Sequence, residues 1–492
     1  MSNCLSKRIA SLKTVAEFRI YAESLGIDLP CADRMIVGEK SPLLQKAPFA
    51  CSNGKSPGNR WAIQPMEGWD GTRDGAVTAD VLRRWGRFGE SGAKLIWGEA
   101  MAICAAGRAN PNQIILRKEN LAGLKQLRTV LEESHSRNFN RVDDLVIGFQ
   151  LTHSGRFSRP LDKNRLEPRV AYRHPYLDEK FGITSDSAIL RDDEIPALIE
   201  DYVNAALLAK EAGADFIDLK HCHGYLLHEF LSARSRSGPY GGSLFNRTRL
   251  LRDIVAAIRA SGNLIDIAVR ISVFDFVPYR PDPAGASGKT LAVGQPEPVT
   301  WPYPFAFGAS QTQEGVIDLT EPMEFLKTCH GLGIRLINLT AGSPYYNPHI
   351  QRPAAYPPSD GYAPPNDPLI DVARQIRVVR DVKAAAPAGM VFVGTAYSYL
   401  QEYLPLVAQE AVAKGWTDMV GLGRMALSYP RCIADAVAGR TLESKLICRT
   451  LSDCTTAPRK GLPSGCYPLD AYYTSKPEAL QLKKLKRNES TE

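Results

Sequence analysis

The stretch "FIDLKHCHGYLLHEFLSARSRSGPYGGSLFNRTRLLRDIVAAIRA", Phe216 to Ala260, passes from a β-rich run through a polar, glycine-bearing loop into an amphipathic helix. Its first part, "FIDLKHC" (216–222), is short and dominated by apolar residues, and its last, "NRTRLLRDIVAAIRA" (246–260), repeats apolar residues at helical spacing. Between them crowd Lys220, His221, His223, Tyr225 and His228. A metal cage is a poor reading of that cluster, because no cysteine or carboxylate pair accompanies His221 and His223 at ligand spacing. His221 and His228 read as residues facing the wall or a helix, and Cys222 as packing.

The same unit recurs on both sides. "RWAIQPM" (60–66), "KLIWGEA" (94–100) and "LVIGFQLTH" (145–153) each precede a helical pattern, as do "DIAVRIS" (266–272), "IRLINLTAG" (334–342), "MVFVGT" (390–395) and "MVGLGR" (419–424). Eight apolar runs separated by amphipathic helices are what a closed (β/α)8 TIM barrel requires, since each strand is buried on both faces. A doubly wound sheet is excluded by the absence of a glycine-rich dinucleotide turn after the first strand. The reading is therefore an α/β chain in which residues 46–440 form the barrel. Residues 1–45 are an N-terminal extension, 441–492 a cysteine-bearing C-terminal extension with a basic tail, and 276–320 a Pro- and Gly-rich loop insert after strand five.

Composition narrows the function. At 492 residues, 44% hydrophobic and 23% charged, the chain has the make-up of a folded globular protein. The net charge of +7 is dispersed, with only "KKLKRN" (483–488) clustered, so nucleic acid is not an expected partner. No apolar run is long enough for a membrane helix, and the N-terminus lacks a secretory pattern. Ten widely spaced cysteines read as reduced thiols, which together with the rest points to a cytoplasmic protein acting on a small molecule; a homo-oligomer is left open.

In a barrel, chemistry collects at the C-terminal strand ends. The polar residues there are Gln150 and His153, then Lys220, His223 and Tyr225, then Arg270, then Gly394 and Thr395, and finally Gly423 and Arg424. "FVGTAYS" and "VGLGRMAL" have the form of a phosphate site: small residues admit backbone N–H groups to an anion, and an arginine completes the charge. His153 reads as orienting the strand-three loop, while Trp69 and Trp97 fit either a cofactor wall or core.

Beyond these features, "PM" (65–66), "QLTHSGR" (150–156), "HGYLLHEFLS" (223–232), "YGGSLFNRTR" (240–249), "VRIS" (269–272) and "GLGR" (421–424) resemble the old yellow enzyme family of FMN-dependent ene-reductases. The nearest likeness is to the FMN barrel of its dienoyl-CoA reductase and trimethylamine dehydrogenase branch. The resemblance implies FMN, reduced by NADH or NADPH and reoxidised by an activated alkene. Pro65, Met66, Glu67 and the Glu99–Ala100 region would line the flavin, and Gln150 would bond its pyrimidine edge. Arg270 would stabilise negative charge there, and Gly394, Thr395, Gly423 and Arg424 would hold the phosphate. Tyr225 matches the proton donor, with Lys220 and His223 gripping a substrate oxygen.

Three departures stand out. Lys220 replaces an expected histidine, and Glu67 stands where Thr or Cys is usual, which predicts that it is protonated, paired with Lys220 or turned away. In "CRTLSDCTTAPRKGLPSGC" (448–466), Cys448, Cys454 and Cys466 match three of the four iron–sulfur ligands of that branch, but Leu451 occupies the position of the second ligand. An intact cluster is not expected, and the segment reads as a remnant. Rival readings are an amine dehydrogenase or demethylase on the same barrel, a non-catalytic flavin-binding module, and a Schiff-base barrel using Lys220.

Overall fold

The computed structural model describes residues 7–285 and 291–488. Residues 1–6 of the N-terminal extension, 286–290 of the insert and 489–492 of the tail lie outside the described residues.

Eight strands close into a parallel barrel: β1 (Trp61–Ile63), β2 (Leu95–Ala102), β3 (Val146–Thr152), β4 (Phe216–His221), β5 (Asp266–Ser272), β6 (Leu336–Thr340), β7 (Val391–Gly394) and β8 (Met419–Leu422), with β8 pairing back onto β1. Every run expected to be a strand is one. The intervening helices are α1 (Ala79–Gly89), α2 (Leu121–Phe139), α3 (Ile195–Glu211), α4 (Arg249–Ala260), α5 (Thr320–Gly331), α6 (Pro368–Ala385), α7 (Leu404–Ala413) and α8 (Cys432–Val437).

Alternation along the strands divides the core in two. Ile63, Ile96, Ile147, Ile217 and Ile271 point outward and pack with the helices in one continuous cluster. Ala62, Leu95, Val146, Phe216, Leu336 and Met419 point inward and form a separate cluster, plugged from below by Ala47 and Cys51 of the preceding segment. Gly148 is required there: a Cβ at that position would lie 2.2 Å from the Phe216 ring. This floor is dry and apolar, so only the residues above it are free to do chemistry.

Two expectations change in detail. The pattern read as one helix over 399–415 is a 3-10 segment, Tyr397–Tyr403, kinked at Gln401 (φ 54°), followed by α7. Pro405 explains the break: it is tolerated in the first turn of α7 but lacks the N–H needed to continue an earlier helix. The insert after β5 folds back as an antiparallel hairpin, Tyr279–Pro281 with Gly294–Pro296.

The described parts of both extensions pack on the barrel. Phe18 stacks on Tyr403 at 4.4 Å between ring centres. The C-terminal helices Asp453–Arg459 and Pro477–Asn488 build their own small core of Ala457, Leu462, Tyr467, Tyr473 and Leu482. That layer is clamped to α1 by the two-pronged Arg83–Asp470 bridge, at 2.8 and 2.9 Å. Among the described residues, no helix is long and apolar enough to cross a membrane.

Candidate active site

A cavity of about 270 Å³ opens at the C-terminal mouth of the barrel. Its floor is a polar layer one inward position above the apolar one. Asp218 of β4 sits at the centre, fully buried, and receives hydrogen bonds from Gln150 Nε2 (2.5 Å), Trp97 Nε1 (2.7 Å) and the backbone N–H of Arg270 (2.7 Å). Burial pushes its carboxyl up to about 6, against the pull of these donors. Gln64 accepts from Asn338 Nδ2 (2.7 Å) and donates to the Gly394 carbonyl (3.1 Å), tying β1, β6 and β7 together. Arg270, on β5, reaches across to the Pro65 carbonyl (3.3 Å), and its Nε is sealed without a partner. A buried guanidinium with a spare donor is costly unless something in the cavity accepts it.

Above this layer lies Glu67. Three donors converge on its carboxylate: Trp69 Nε1 at 2.8 Å, Tyr225 OH at 2.9 and 3.0 Å, and Lys220 Nζ at 3.2 Å. Of the states expected for Glu67, pairing with Lys220 is the one found. The Lys220 ammonium also sits 3.6 Å from the centre of the Tyr225 ring, a desolvated cation–π contact. Tyr225 OH meets Tyr345 OH at 2.8 Å, and Tyr345 stacks on Phe157 at 4.0 Å. Burial first, and then the Glu67 charge, hold the Tyr225 hydroxyl well above its usual value, so it is a phenol at neutral pH.

His223 lines the cavity in a left-handed conformation (φ 67°). Its backbone N–H bonds Ser272 Oγ (3.0 Å), its carbonyl accepts from Ser343 Oγ (2.8 Å), and its Nε2 faces Gln351 Nε2 at 3.1 Å. Burial, reinforced by Arg270 and Lys220, holds the imidazole far below its usual range, leaving it neutral. His221 points the other way, packing on Phe325, and His153 Nδ1 accepts the Gly155 N–H (3.1 Å) within the strand-three loop.

At the opposite end, Thr395, Ala396, Gly423 and Arg424 line the wall. Gly423 offers room, since the nearest atom to a Cβ placed there is Met66 Sδ at 3.7 Å. Arg424 donates to the Pro353 carbonyl (2.7 Å) while its Nη1 is sealed and unpartnered. The spare donors of Arg270 and Arg424, at two ends of one cavity with small-residue turns between, fit a ligand with a polar ring edge at one end and an anionic group at the other, as FMN has.

The cavity brings together Pro65, Met66, Glu67, Gln150, Lys220, His223, Tyr225, Arg270, Thr395, Gly423 and Arg424. Two expected residues stand behind the wall. Ala100 is buried in β2, its carbonyl accepting Gln113 Nε2 at 3.0 Å, and Gly394 serves through its carbonyl alone. Glu99 likewise turns from the cavity into a buried cluster, bonded to Arg84 Nη2 (3.0 Å), Trp85 Nε1 (3.0 Å) and the Gly68 N–H (3.3 Å). The displacement follows from a register shift in β2 between Trp97 and Ala100, which rotates the side chains that follow.

Sequence reasoning missed Asp218, Gln64, Asn338, Tyr345, Gln351 and Arg352. Asp218 carried a signal: a carboxylate two residues before Lys220 on a buried strand must face the same interior. Among the described residues, no group of three His, Cys, Asp or Glu side chains is placed to hold a metal ion. Cys454 and Cys466 line the cavity, and burial holds Cys466 and Cys448 above the ordinary thiol range, opposed at Cys448 by the Arg424 charge.

Solved structures share this architecture. A 2-naphthoyl-CoA reductase superposes with a TM-score of 0.62 at 17% identity, over 88% of this chain and 57% of that one. Histamine dehydrogenase from Rhizobium sp. 4-9 gives 0.59 at 21%, over 87% and 52%. An NADPH dehydrogenase of Geobacillus sp. (strain WCH70) is 34% identical over 233 residues, 45% of this chain; the chain spans 61% of that relative's length. Residues 47–301, from the plug beneath the barrel through β5 and into the insert, match the model of one family. The chain belongs to the NADH:flavin oxidoreductase / NADH oxidase family.

Proposed function

We propose that this protein is an FMN-dependent oxidoreductase that takes hydride from NADH or NADPH and reduces a C=C bond conjugated to an electron-withdrawing group, with Tyr225 as proton donor. The observation that carries the reading is Arg270: a buried guanidinium that lines the cavity together with Gln150 and has an Nε that none of the described residues satisfies. Bound there, FMN supplies the hydride chemistry between nicotinamide and substrate.

The chain's own residues do the rest. Arg270 and Gln150 orient the pyrimidine edge and favour negative charge on it, because a fixed guanidinium in a low-dielectric site needs no reorganisation. Thr395, Gly423 and Arg424 receive the phosphate. Lys220 and His223 donate to the substrate oxygen, which polarises the alkene, and Tyr225 holds a proton at its hydroxyl for the α-carbon. Tyr345 OH, 2.8 Å from Tyr225 OH, is placed to relay a proton back to it.

Amine oxidation is the weaker reading. The place an amine would take, over the Tyr225 ring and beside a carboxylate, is filled by the ammonium of Lys220. A substrate neutral or electron-rich at that point suits the site better. The test is a purified protein mixed with FMN and divided in two: one portion, reduced by NADPH, is challenged with an enone, and the other, with its flavin oxidised, is challenged with a primary amine. Reoxidation by the enone is expected; a colourless protein that takes up no FMN would overturn the proposal, and turnover of the amine alone would favour the rival.

A further inference from the structure

We infer that Arg352, on the loop after β6, is a second phosphate-binding residue, facing Arg424 across the anion and held there by Thr455 of the C-terminal extension. The inference rests on the FMN reading above and adds a residue and a segment to it.

Arg352 and Arg424 line the same end of the cavity, beside Thr395 and Gly423. They are linked through adjacent backbone, since Arg424 Nη2 donates to the carbonyl of Pro353, the residue after Arg352. Arg352 Nη1 is bonded to Thr455 Oγ1, while Arg352 Nη2 and Arg424 Nη1 are both sealed from solvent with no partner. Neither guanidinium forms an ion pair among the described residues. Other cations nearby are neutralised: Arg459 pairs with Asp360 at 3.1 Å, and Arg83 with Asp470 at 2.8 Å. Two like charges with sealed, unmet donors are unfavourable together unless an anion joins them. A phosphate monoester, dianionic and rich in acceptors, satisfies both at once.

The consequence reaches the C-terminal segment. Thr455 lies on the short helix Asp453–Arg459, between two of the cysteines of the cluster-like motif. On this inference the segment, with Leu451 in the second ligand's place, serves the cofactor by positioning Arg352.

Equilibrium binding of FMN and of riboflavin to the full chain, stripped of flavin and followed by flavin fluorescence, tests the inference. Riboflavin lacks the phosphate and is otherwise the same probe. R352M is expected to weaken FMN binding about tenfold to a hundredfold and to leave riboflavin within about twofold. T455V should weaken FMN alone by a smaller factor. Unchanged FMN affinity in R352M, or equal loss of both flavins, overturns the role of Arg352. Amide exchange on the unmutated chain gives an independent reading: saturating inorganic phosphate should slow exchange at 351–352 and 453–459 as well as at 395 and 423–424. Protection confined to the last two places counts against the inference while sparing the FMN reading. A wild-type chain that takes up neither flavin would remove both.

Discussion

The two ends of the cavity hold their charges differently. Toward β1 and β4 every cation is answered from within: Lys220 by Glu67, and nearby Arg84 by Asp70 and Glu99, with Nη1 2.5 Å from Asp70 and Nη2 3.0 Å from Glu99. Toward β7 and β8, Arg424 and Arg352 have spare, sealed donors and, among the described residues, no ion pair. Lys220 and Arg84 are buried while Arg352 and Arg424 are half-buried, so the cations without an internal partner lie at the less enclosed end. A cation with an internal partner is part of the fold or is held in reserve; one without is waiting for a ligand. Arg270 is intermediate, its backbone committed to Asp218 and its side chain half-committed to Pro65.

That contrast can be broken by substitution. The largest effect belongs to the substrate end. Y225F should slow alkene reduction by about 10²–10⁴ while sparing reduction of the flavin by NADPH, because the proton is needed only in the second half-reaction. Stopped-flow measurement of each half-reaction checks this, and equal losses in both would contradict the donor role.

R84M tests the internally paired network. It leaves Asp70 and Glu99 buried without their shared cation and should cost about 3–5 kcal/mol of stability, read by denaturant unfolding. A loss under about 1 kcal/mol would show that the pairing is not what holds α1 to β2.

Asp218 gives a pH signature. Its folded carboxyl is raised to about 6, above the usual carboxylate value, so the folded state binds the proton more tightly than the unfolded one. Stability from this group is therefore complete below about pH 4 and lost as pH rises to about 6, roughly 3 kcal/mol in all. D218N should flatten that slope in the flavin-free protein; an unaltered slope would assign it elsewhere.

Smaller changes sharpen the comparison from both sides. R352M, removing an unanswered cation, should raise the stability of the flavin-free protein by about 1 kcal/mol, the opposite sign to R84M. E67Q releases Lys220 from a pair worth about 1 kcal/mol and should lower KM for an enone about fivefold. A higher KM would mean that Glu67 grips the substrate itself.

Much of this architecture is legible in order. The apolar runs and their turn residues locate each strand, because a strand buried on both faces cannot be written any other way. Lys220, Tyr225, Arg270 and Arg424 are legible as strand-end polar residues converging on one mouth. The placement of Ala100 and Glu99 outside the cavity lining was not legible, because a bulge in β2 is a property of pairing and leaves no local mark. Arg352 and Tyr345 were missed because they sit on the long connection after β6, whose path periodicity does not describe.

By itself, then, the sequence determined the barrel, the identity of the groups at its mouth and the missing second ligand at Leu451. Those follow from local patterns: hydrophobic alternation, turn chemistry and residue type. Only the tertiary structure decided which charges are answered and which are open. Pairing depends on atoms brought within about 3 Å from positions far apart in the chain, such as Glu67 with Lys220 and Arg352 with Thr455. No periodicity along one strand or helix encodes that distance.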